Sequence, residues 1–519
     1  MKNVNPKKEV MKKDRPSDVI IFLTDQWNPR MLGCAGDRVI QTPNVDRLAA
    51  EGTRFPNSYS TSPVCMPARC ALASGRYPHN TGLWWNMTRY CFPAHHLSIF
   101  RQMKDAGYST AQIGKYHYSD LHSLTEGQLH IRPDNWLSDI ALDHPQELPS
   151  PYATPWKQTE YSEHLKCKGL LRPYLDDLRH RFVTGDFRVV GPAPIPPEDH
   201  PDAYIARQAI EYINRHPPDQ PMFLIVSLPG PHSPFDAPGE YADMFRPEDM
   251  RLAPNVPETV KGCDRDHIRR TQANYYGKIK LLDDWIGRLI DAQRARGKWN
   301  NTLAVFTADH GEYMGSHGNF GKCGFWEESA GIPLIVRWPG HSTGKMPVPH
   351  PSAGDADGII QRGNTVDALV ELIDVYATVI DAAGGKPARD TFGRSLMPFM
   401  RNPDAPFRDV AVSEIGHRGH LNYMVRDPRC KWFVSGGREH LFDLHNDPFE
   451  MTDLIDDPQH KDTADRLKDR LRQHLMQTQI NDAATYQSLF ERIGKLTSMD
   501  RLDEFLEQRF EAIHFEDNP

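Results

Sequence analysis

The sequence predicts an α/β fold in which a large, mostly parallel sheet is sandwiched by helices and followed by a smaller C-terminal antiparallel sheet. Two observations carry the prediction. Residues 18–24 (DVIIFLT), 222–228 (MFLIVSL) and 302–307 (TLAVFT) are short and mostly apolar, as strands buried on both faces must be, and helical patterns separate them. From about Phe407 the texture changes to short alternating runs at 410–414, 422–426, 431–435 and 441–444, which suit an antiparallel sheet.

The remaining elements follow from local chemistry. Residues 333–337 (PLIVR) are a further, weaker strand. Residues 44–51, 97–106, 203–215 and 366–383, and a long stretch within 267–296, read as helices; Gly107 and Gly384 stop two of them. A turn at His445-Asn446-Asp447-Pro448 ends the small sheet, and a charged helix over about 464–477 follows. Residues 121–201, rich in Pro, His and Trp and with little periodicity, read as an insertion over one edge of the large sheet. The chain therefore divides into a flexible segment 1–17, a catalytic α/β domain 18–405, a C-terminal α+β subdomain 406–480 and a helical tail 481–519 that suits contact between subunits of a homo-oligomer.

Composition narrows the class. With 39% apolar and 25% charged residues, the 519-residue chain is globular in type, and its 43 prolines, scattered among aromatics, point to long ordered loops. A net charge of −8 without a basic stripe argues against a nucleic-acid partner. The eight cysteines, at 34, 65, 70, 91, 167, 263, 323 and 430, form no C-x-x-C pair, so no disulfide framework is expected. The basic N-terminus leads into no apolar signal region, and no segment reaches the ~18 apolar residues of a membrane span. The expected location is cytoplasmic, with no membrane partner.

Polar residues with catalytic potential stand just after the strands. Asp25 and Gln26 follow the first, Lys115 and His117 follow a run at 110–113, His232 follows 222–228, and Asp309 and His310 follow 302–307. Ligands of open α/β sheets gather at the carboxyl ends of strands, so these loops should converge on one crevice. A lone Asp there is usually a cap and a lone His beside glycine usually bonds locally; four such events in step with four strands point to a site. Asp25-Gln26 and Asp309-His310 offer two carboxylates, an amide oxygen and an imidazole. That set suits one divalent ion, calcium first, with manganese or magnesium left open by the imidazole.

Residues 62–82, SPVCMPARCALASGRYPHNTG, are the most informative. Cys65, Pro67 and Arg69 spell Cys-x-Pro-x-Arg, and Leu72-Ala73-Ser74-Gly75-Arg76 follows. A lone cysteine is ordinarily a small buried hydrophobe, the reading given to Cys70, Cys91 and Cys430. The two halves of the motif together resemble the signature of the formylglycine-dependent sulfatase family, within the alkaline phosphatase superfamily. The resemblance runs over most of the chain: Asp25-Gln26 and the following Thr42-Pro43-Asn44-Val45-Asp46-Arg47-Leu48, then Gly114-Lys115-Tyr116-His117, Pro231-His232-Ser233-Pro234, Asp309-His310-Gly311-Glu312, Gly321-Lys322, and Leu441-Phe442-Asp443-Leu444 with Asn446-Asp447-Pro448.

The resemblance implies that a separate maturation enzyme oxidises Cys65 to formylglycine, whose hydrate attacks the sulfur of a sulfate monoester of a sugar, aryl or alkyl alcohol. The second hydroxyl of the hydrate then lets sulfate leave and the aldehyde return. It also implies that Asp25, Gln26, Asp309, His310 and the modified Cys65 hold the ion, while Arg69, Lys115 and Lys322 offset anionic charge. His117 would handle a proton at the hydrate, and His232 with Lys322 would meet the sulfate and the leaving oxygen. A cytoplasmic enzyme of this kind would act on a small imported sulfated sugar or metabolite.

Some positions depart from the commonest pattern. Ala68 replaces the usual Ser, Gln26 stands where many members have Asp, and His310 where many have Asn. The last two, with Asn86 as a substrate contact, also resemble phosphonate monoester hydrolases, whereas Lys115 and His117 favour sulfate. A relative that only binds sulfated ligands should lack Cys65, Arg69 or Lys322, and all three are present. His79, His95-His96 and His317 are read as structural, and Trp84-Trp85 as core or pocket lining.

Overall fold

The computed structural model describes residues 16–86, 98–118, 140–148, 159–185, 188–340, 363–417 and 420–480. Most of the N-terminal segment 1–17, Cys91, His95-His96 and the tail 481–519 lie outside the described residues. The first half of the chain runs β1 (Asp18–Asp25), α1 (Pro43–Glu51), β2 (Thr53–Arg54), β3 (Ser58–Tyr59), α2 (Cys65–Ser74), α3 (Pro78–Thr81), α4 (Ser98–Asp105), β4 (Ser109–Gly114), β5 (His144–Glu147), α5 (Glu160–Cys167), α6 (Leu171–Thr184), α7 (Pro201–Arg215) and β6 (Met222–Pro231). The second half runs β7 (Thr259–Val260), β8 (Cys263–Asp264), α8 (Arg265–Ala295), β9 (Thr302–Ala308), α9 (Glu327–Ala330), β10 (Leu334–Arg337), β11 (Asn364–Thr365), β12 (Val370–Glu371), α10 (Ile373–Ala382), β13 (Ala411–His417), β14 (His420–Arg426), β15 (Cys430–Ser435), β16 (Arg438–Asp443) and α11 (Lys461–Gln477).

Eight strands form the large sheet in the order β11-β2-β10-β9-β1-β6-β4-β5. The five from β9 to β5 are mutually parallel, with Ile20 of β1 opposite Leu224 of β6 and Ala304 of β9, and β10 joins antiparallel. Alternate side chains enter two separate cores. Ile20, Phe22, Leu224, Val226 and Phe306 meet Ile205, Ile213, Ile279, Leu282 and Ile286 of α7 and α8. Val19, Ile21, Phe223, Ile225 and Val305 meet Met66, Cys70, Ile99, Phe100, Val375 and Val379 of α2, α4 and α10. Burial on both faces is why these strands read as continuous apolar runs.

The antiparallel sheet β13-β14-β15-β16 forms a third core, in which Ile415, Met424, Phe433 and Phe442 meet Tyr59, Val64 and Phe325. Its first strand is tied to the catalytic elements by the Val412 N–H on Glu371 Oε1 at 2.7 Å and the Glu414 N–H on the Thr61 carbonyl at 2.9 Å. Residues through His474 form one compact unit, and Leu475–Pro519 a second that is described only to residue 480. Among the described residues no helix is long and apolar enough to cross a membrane, and none of the described cysteines is in a disulfide.

Two expectations need correction. The insertion is less irregular than its composition: His144–Glu147 adds an edge strand parallel to β4, and Glu160–Cys167 and Leu171–Thr184 are helices. Their period is diluted because each buries only a narrow stripe, Tyr161 and Leu165 on one and Tyr174 and Leu178 on the other. The helix expected over 366–383 starts at Ile373 instead. Val370–Glu371 pairs with Ser58–Tyr59, and Asp374 Oδ2 accepts the Glu371 N–H at 2.8 Å, which turns the chain into the helix there.

Candidate active site

The signature segment becomes a helix because Val64 stays extended and Ala, Leu and Met dominate the ten residues after it, all of them buried. Cys65 is its first residue, at the positive end of the helix dipole and among N–H groups with no partner inside the helix. Asn86 Oδ1 accepts one of these, the Met66 N–H, at 2.9 Å. Arg69 lies four residues on, so both side chains share a face. Gly75 ends the helix at φ 68°, where a side chain would also meet the Tyr376 ring at 2.7 Å.

Around Cys65 the carboxyl ends of the parallel strands converge. Asp25 and Asp309 are fully buried, and Arg69 spans them, with Nε 2.7 Å from Asp309 Oδ2 and Nη2 3.2 Å from Asp25 Oδ2. Lys115 also pairs with Asp25. The His310 Nδ1–H donates to the Gly311 carbonyl at 3.0 Å, which directs Nε2 inward, 3.1 Å from Cys65 Sγ and 3.6 Å from Asp25 Oδ1. Ligand atoms of Asp25, Cys65, Asp309 and His310 all lie within 4.8 Å of one another. Hard oxygen donors and one imidazole in a buried cluster fit a divalent cation. Gln26, at φ 65°, completes the rim: its N–H meets Asp309 Oδ1 at 3.2 Å and its Nε2 donates to Glu312, which turns its amide oxygen the other way.

The opposite wall is cationic. Lys322 Nζ lies 2.8 Å from Cys65 Sγ. His117, at φ 56° just past β4, and His232 are both near enough to the Cys65 thiol to feel its charge. The His232 Nδ1–H donates to the Ser233 carbonyl at 2.6 Å, so its Nε2 is the atom left for the pocket. Burial alone would raise the Cys65 thiol, but Lys115, Lys322 and His310 hold it well below its ordinary value. Burial would likewise raise Asp25, yet Lys115, His232 and Lys322 keep its carboxyl below the usual range. Burial lowers both His117 and His232. The structure thus brings together Asp25, Gln26, Cys65, Arg69, Lys115, His117, His232, Asp309, His310 and Lys322, with Asn86 beside the helix start.

Four residues that sequence reasoning did not single out complete the surroundings. Ser227 Oγ accepts from Arg69 Nη1 at 2.8 Å and donates to the Lys115 carbonyl at 2.6 Å. Glu312 is fully buried, accepts the Met314 and Gly321 N–H groups at 2.8 Å each, and is pushed up to about 7 by burial. Tyr275 donates to the Gln26 carbonyl at 2.6 Å, and Lys278 donates to the His232 carbonyl at 2.8 Å. The available signal was weak: Glu312 lies in the Asp-His-Gly-Glu block, and Tyr275 and Lys278 are polar groups amid the buried side of a long helix. The residues set aside as structural have structural partners. His79 meets Glu414 at 2.6 Å, His317 stacks on Trp326 at 3.7 Å, and Trp85 packs on the third core, while Trp84 lies edge-on to Tyr423.

A pocket that holds a buried carboxylate pair beside two lysines, at the carboxyl edge of a doubly covered sheet, suits an ester whose acid part is an anion. That is the class of the alkaline phosphatase superfamily. The sequence profile of the sulfatase family matches residues 17–385, and that of the N-sulphoglucosamine sulphohydrolase C-terminal region matches residues 355–477. The chain belongs to the sulfatase family, whose reaction is sulfuric ester hydrolysis. It is 28% identical over 476 residues to an arylsulfatase of Clostridium perfringens, covering 87% of this chain and 92% of that protein. It is 28% identical over 484 residues to an ulvan-active sulfatase of Formosa agariphila, covering 90% and 83% respectively. The solved phosphonate monoester hydrolase of Agrobacterium radiobacter has a similar fold, with a TM-score of 0.69 at 24% identity over 91% of this chain and 97% of that one.

Proposed function

We propose that the protein hydrolyses a sulfate monoester of a small sugar through a nucleophile made from Cys65, with one divalent cation held by Asp25, Gln26, Asp309 and His310. The observation that carries this reading is the position of Cys65, at a helix N-terminus with His310 Nε2 at 3.1 Å on one side and Lys322 Nζ at 2.8 Å on the other. The formylglycine hydrate would supply the attacking oxygen and the ion would neutralise sulfate oxygens; calcium is the first candidate, with manganese and magnesium next.

The chain's own groups account for the rest. A sulfate ester is an anion and repels a nucleophile that carries negative charge, and Lys115 and Lys322 offset that repulsion where water is scarce. Four of the five Arg69 N–H groups are taken by protein acceptors, so it holds the two carboxylates in place and adds its charge from behind them. His117 is placed to handle a proton at the nucleophile. His232 and Lys322 would meet the alcohol oxygen as the S–O bond breaks, and help of that type is worth about 10²–10⁴-fold. The Asn86 amide oxygen is engaged by Met66, which leaves its NH₂ group to meet the ester. The C-terminal match to the N-sulphoglucosamine sulphohydrolase profile supports a sugar as the part of the substrate that carries the sulfo group.

A second reading, a phosphonate monoester hydrolase, draws on Gln26, His310 and Asn86. Lys115 and His117, both buried in the pocket, support sulfate instead. The deciding experiment compares kcat/KM for matched nitrophenyl sulfate and phenylphosphonate esters, with Cys65 conversion followed by peptide mass. Sulfate should be preferred and Cys65→Ala should be folded and inactive. A preference for phosphonate, or activity in Cys65→Ala, overturns the assignment.

A further inference from the structure

The strip that carries His232 is anchored by a buried cation. Lys278, in the middle of α8, is 1% exposed, and its ammonium has three acceptors: the carbonyls of His232 and Pro234, each at 2.8 Å, and Asp236 Oδ1 at 3.0 Å. These use all three of its protons. Burying an ammonium is costly unless it is paired and fully hydrogen-bonded, so the helix interior is an expensive place for a lysine that serves packing alone. Here the counter-ion comes from the same strip as the carbonyls. The charge therefore acts on five residues of chain, 232–236.

The other groups around the strip act on it too. Asp202 Oδ1 accepts the Gly230 N–H at 2.8 Å, and His200 lies 3.2 Å from Asp202 and 3.7 Å from Asp236. The His232 N–H donates to the Asp25 carbonyl at 3.1 Å. The ring of His232 is oriented by the Ser233 carbonyl, which lies between the two carbonyls that Lys278 holds. On the same side of the helix, three residues earlier, Tyr275 holds the Gln26 carbonyl. Gly277, between them, has no room for a side chain, since a Cβ there would meet the Tyr241 carbonyl oxygen at 2.2 Å. The tight approach of α8 is thus built into the sequence at 275–278.

We propose that Lys278 is a positioning residue for His232: by fixing the carbonyls on either side of Ser233 it aims the His232 ring at the departing alcohol oxygen, without itself touching the substrate. This rests on the assignment of His232 to the leaving oxygen. A misaimed ring should cost most where the departing alcohol most needs help, so the effect depends on that alcohol's acidity.

The test is steady-state kinetics of the full, Cys65-converted protein, as wild type, Lys278→Met and Lys278→Arg. The substrates are sulfate esters whose alcohols run from nitrophenol to simple alkanols. Lys278→Met should keep KM within about threefold while kcat falls by about 10-fold for nitrophenol and about 10²-fold for alkanols, and Lys278→Arg should recover part of both losses. If Lys278→Met does not fold, Asp236→Asn, which leaves both carbonyl contacts to the ammonium, should show a smaller loss with the same dependence on the alcohol. An equal loss for every alcohol overturns the inference and leaves the sulfatase reading standing. A wild type inactive on every sulfate ester overturns that reading, and the inference with it.

Discussion

At the scale of single residues, Arg69 and Glu312 are the informative cases, because neither acts by reaching into the pocket. The Arg69 guanidinium is 1% exposed and donates to Asp309, Asp25, Ser227 and the Lys115 carbonyl, four acceptors on four separate stretches of chain. A lysine has the charge but not the planar fork. Arg69→Lys should therefore lower stability by about 3–5 kcal/mol in urea unfolding, as expected when a buried ion pair loses its geometry; an unchanged midpoint would mean that the clamp is dispensable. Glu312 would act on the proposed ion site one bond further out, through Gln26. Glu312→Gln should weaken binding of calcium or manganese by about 10–100-fold, read as ion-dependent thermal stabilisation of the purified protein. Equal affinity in the variant would remove Glu312 from the ion's surroundings.

At the scale of elements, the site depends on how loops leave strands and how helices start. Lys115 leaves β4 where Gly114, at φ 107°, lies so close to β6 that a Cβ would meet the Ser227 carbonyl oxygen at 2.0 Å. The same closeness lets Ser227 hold both Lys115 and Arg69. Helix α1 starts under a borrowed cap: Asp283, on α8, accepts the Asn44 and Val45 N–H groups at 3.0 and 2.9 Å. Asp283→Ala should cost about 1–2 kcal/mol in unfolding free energy and leave kcat/KM unchanged at saturating ion. A loss of activity without loss of stability would place α1 in the site. Strand-end chemistry was legible in the sequence because the apolar runs are clear and polar residues of catalytic type follow four strands in step. The cap was not, since Asn44 and Asp283 are 239 positions apart.

At the scale of the whole molecule, buried charges join segments that are remote in the chain. Lys278 on α8 and His200 ahead of α7 face Asp236, Arg181 on α6 also acts on it, and Tyr161 and Tyr174 lie nearby. Burial pushes Asp236 up, but Lys278, His200 and Arg181 hold it at about 2, against 3.8 when unfolded. Its contribution to stability is complete above 3.8 and is lost as the pH falls through about 2. His200 has the opposite sign: although burial lowers it, Asp202 and Asp236 raise it overall, so its share is present below 6.5 and is lost as the pH rises through its folded value. Asp236→Asn should flatten the acid limb of a stability-against-pH curve, followed by urea unfolding at each pH. An unchanged limb would put the acid sensitivity in other carboxylates.

Sequence by itself determined the sheet, the small second sheet and the membership of the pocket. Apolar runs and strand-end polar residues are local signals, and Cys65, Pro67 and Arg69 share a single turn of helix. Tertiary structure alone decided which groups hold the site together. Ser227, Tyr275, Lys278 and Asp283 act across 46 to 249 positions of chain and look, in one dimension, like ordinary core or surface residues. It also decided that residues 160–167 and 171–184 are helical and that 370–371 pair as a strand. The physical reason is the same throughout. Periodicity reports which face of an element is buried, whereas a buried polar group takes its meaning from the partner that satisfies it, and that partner is brought close only by the fold.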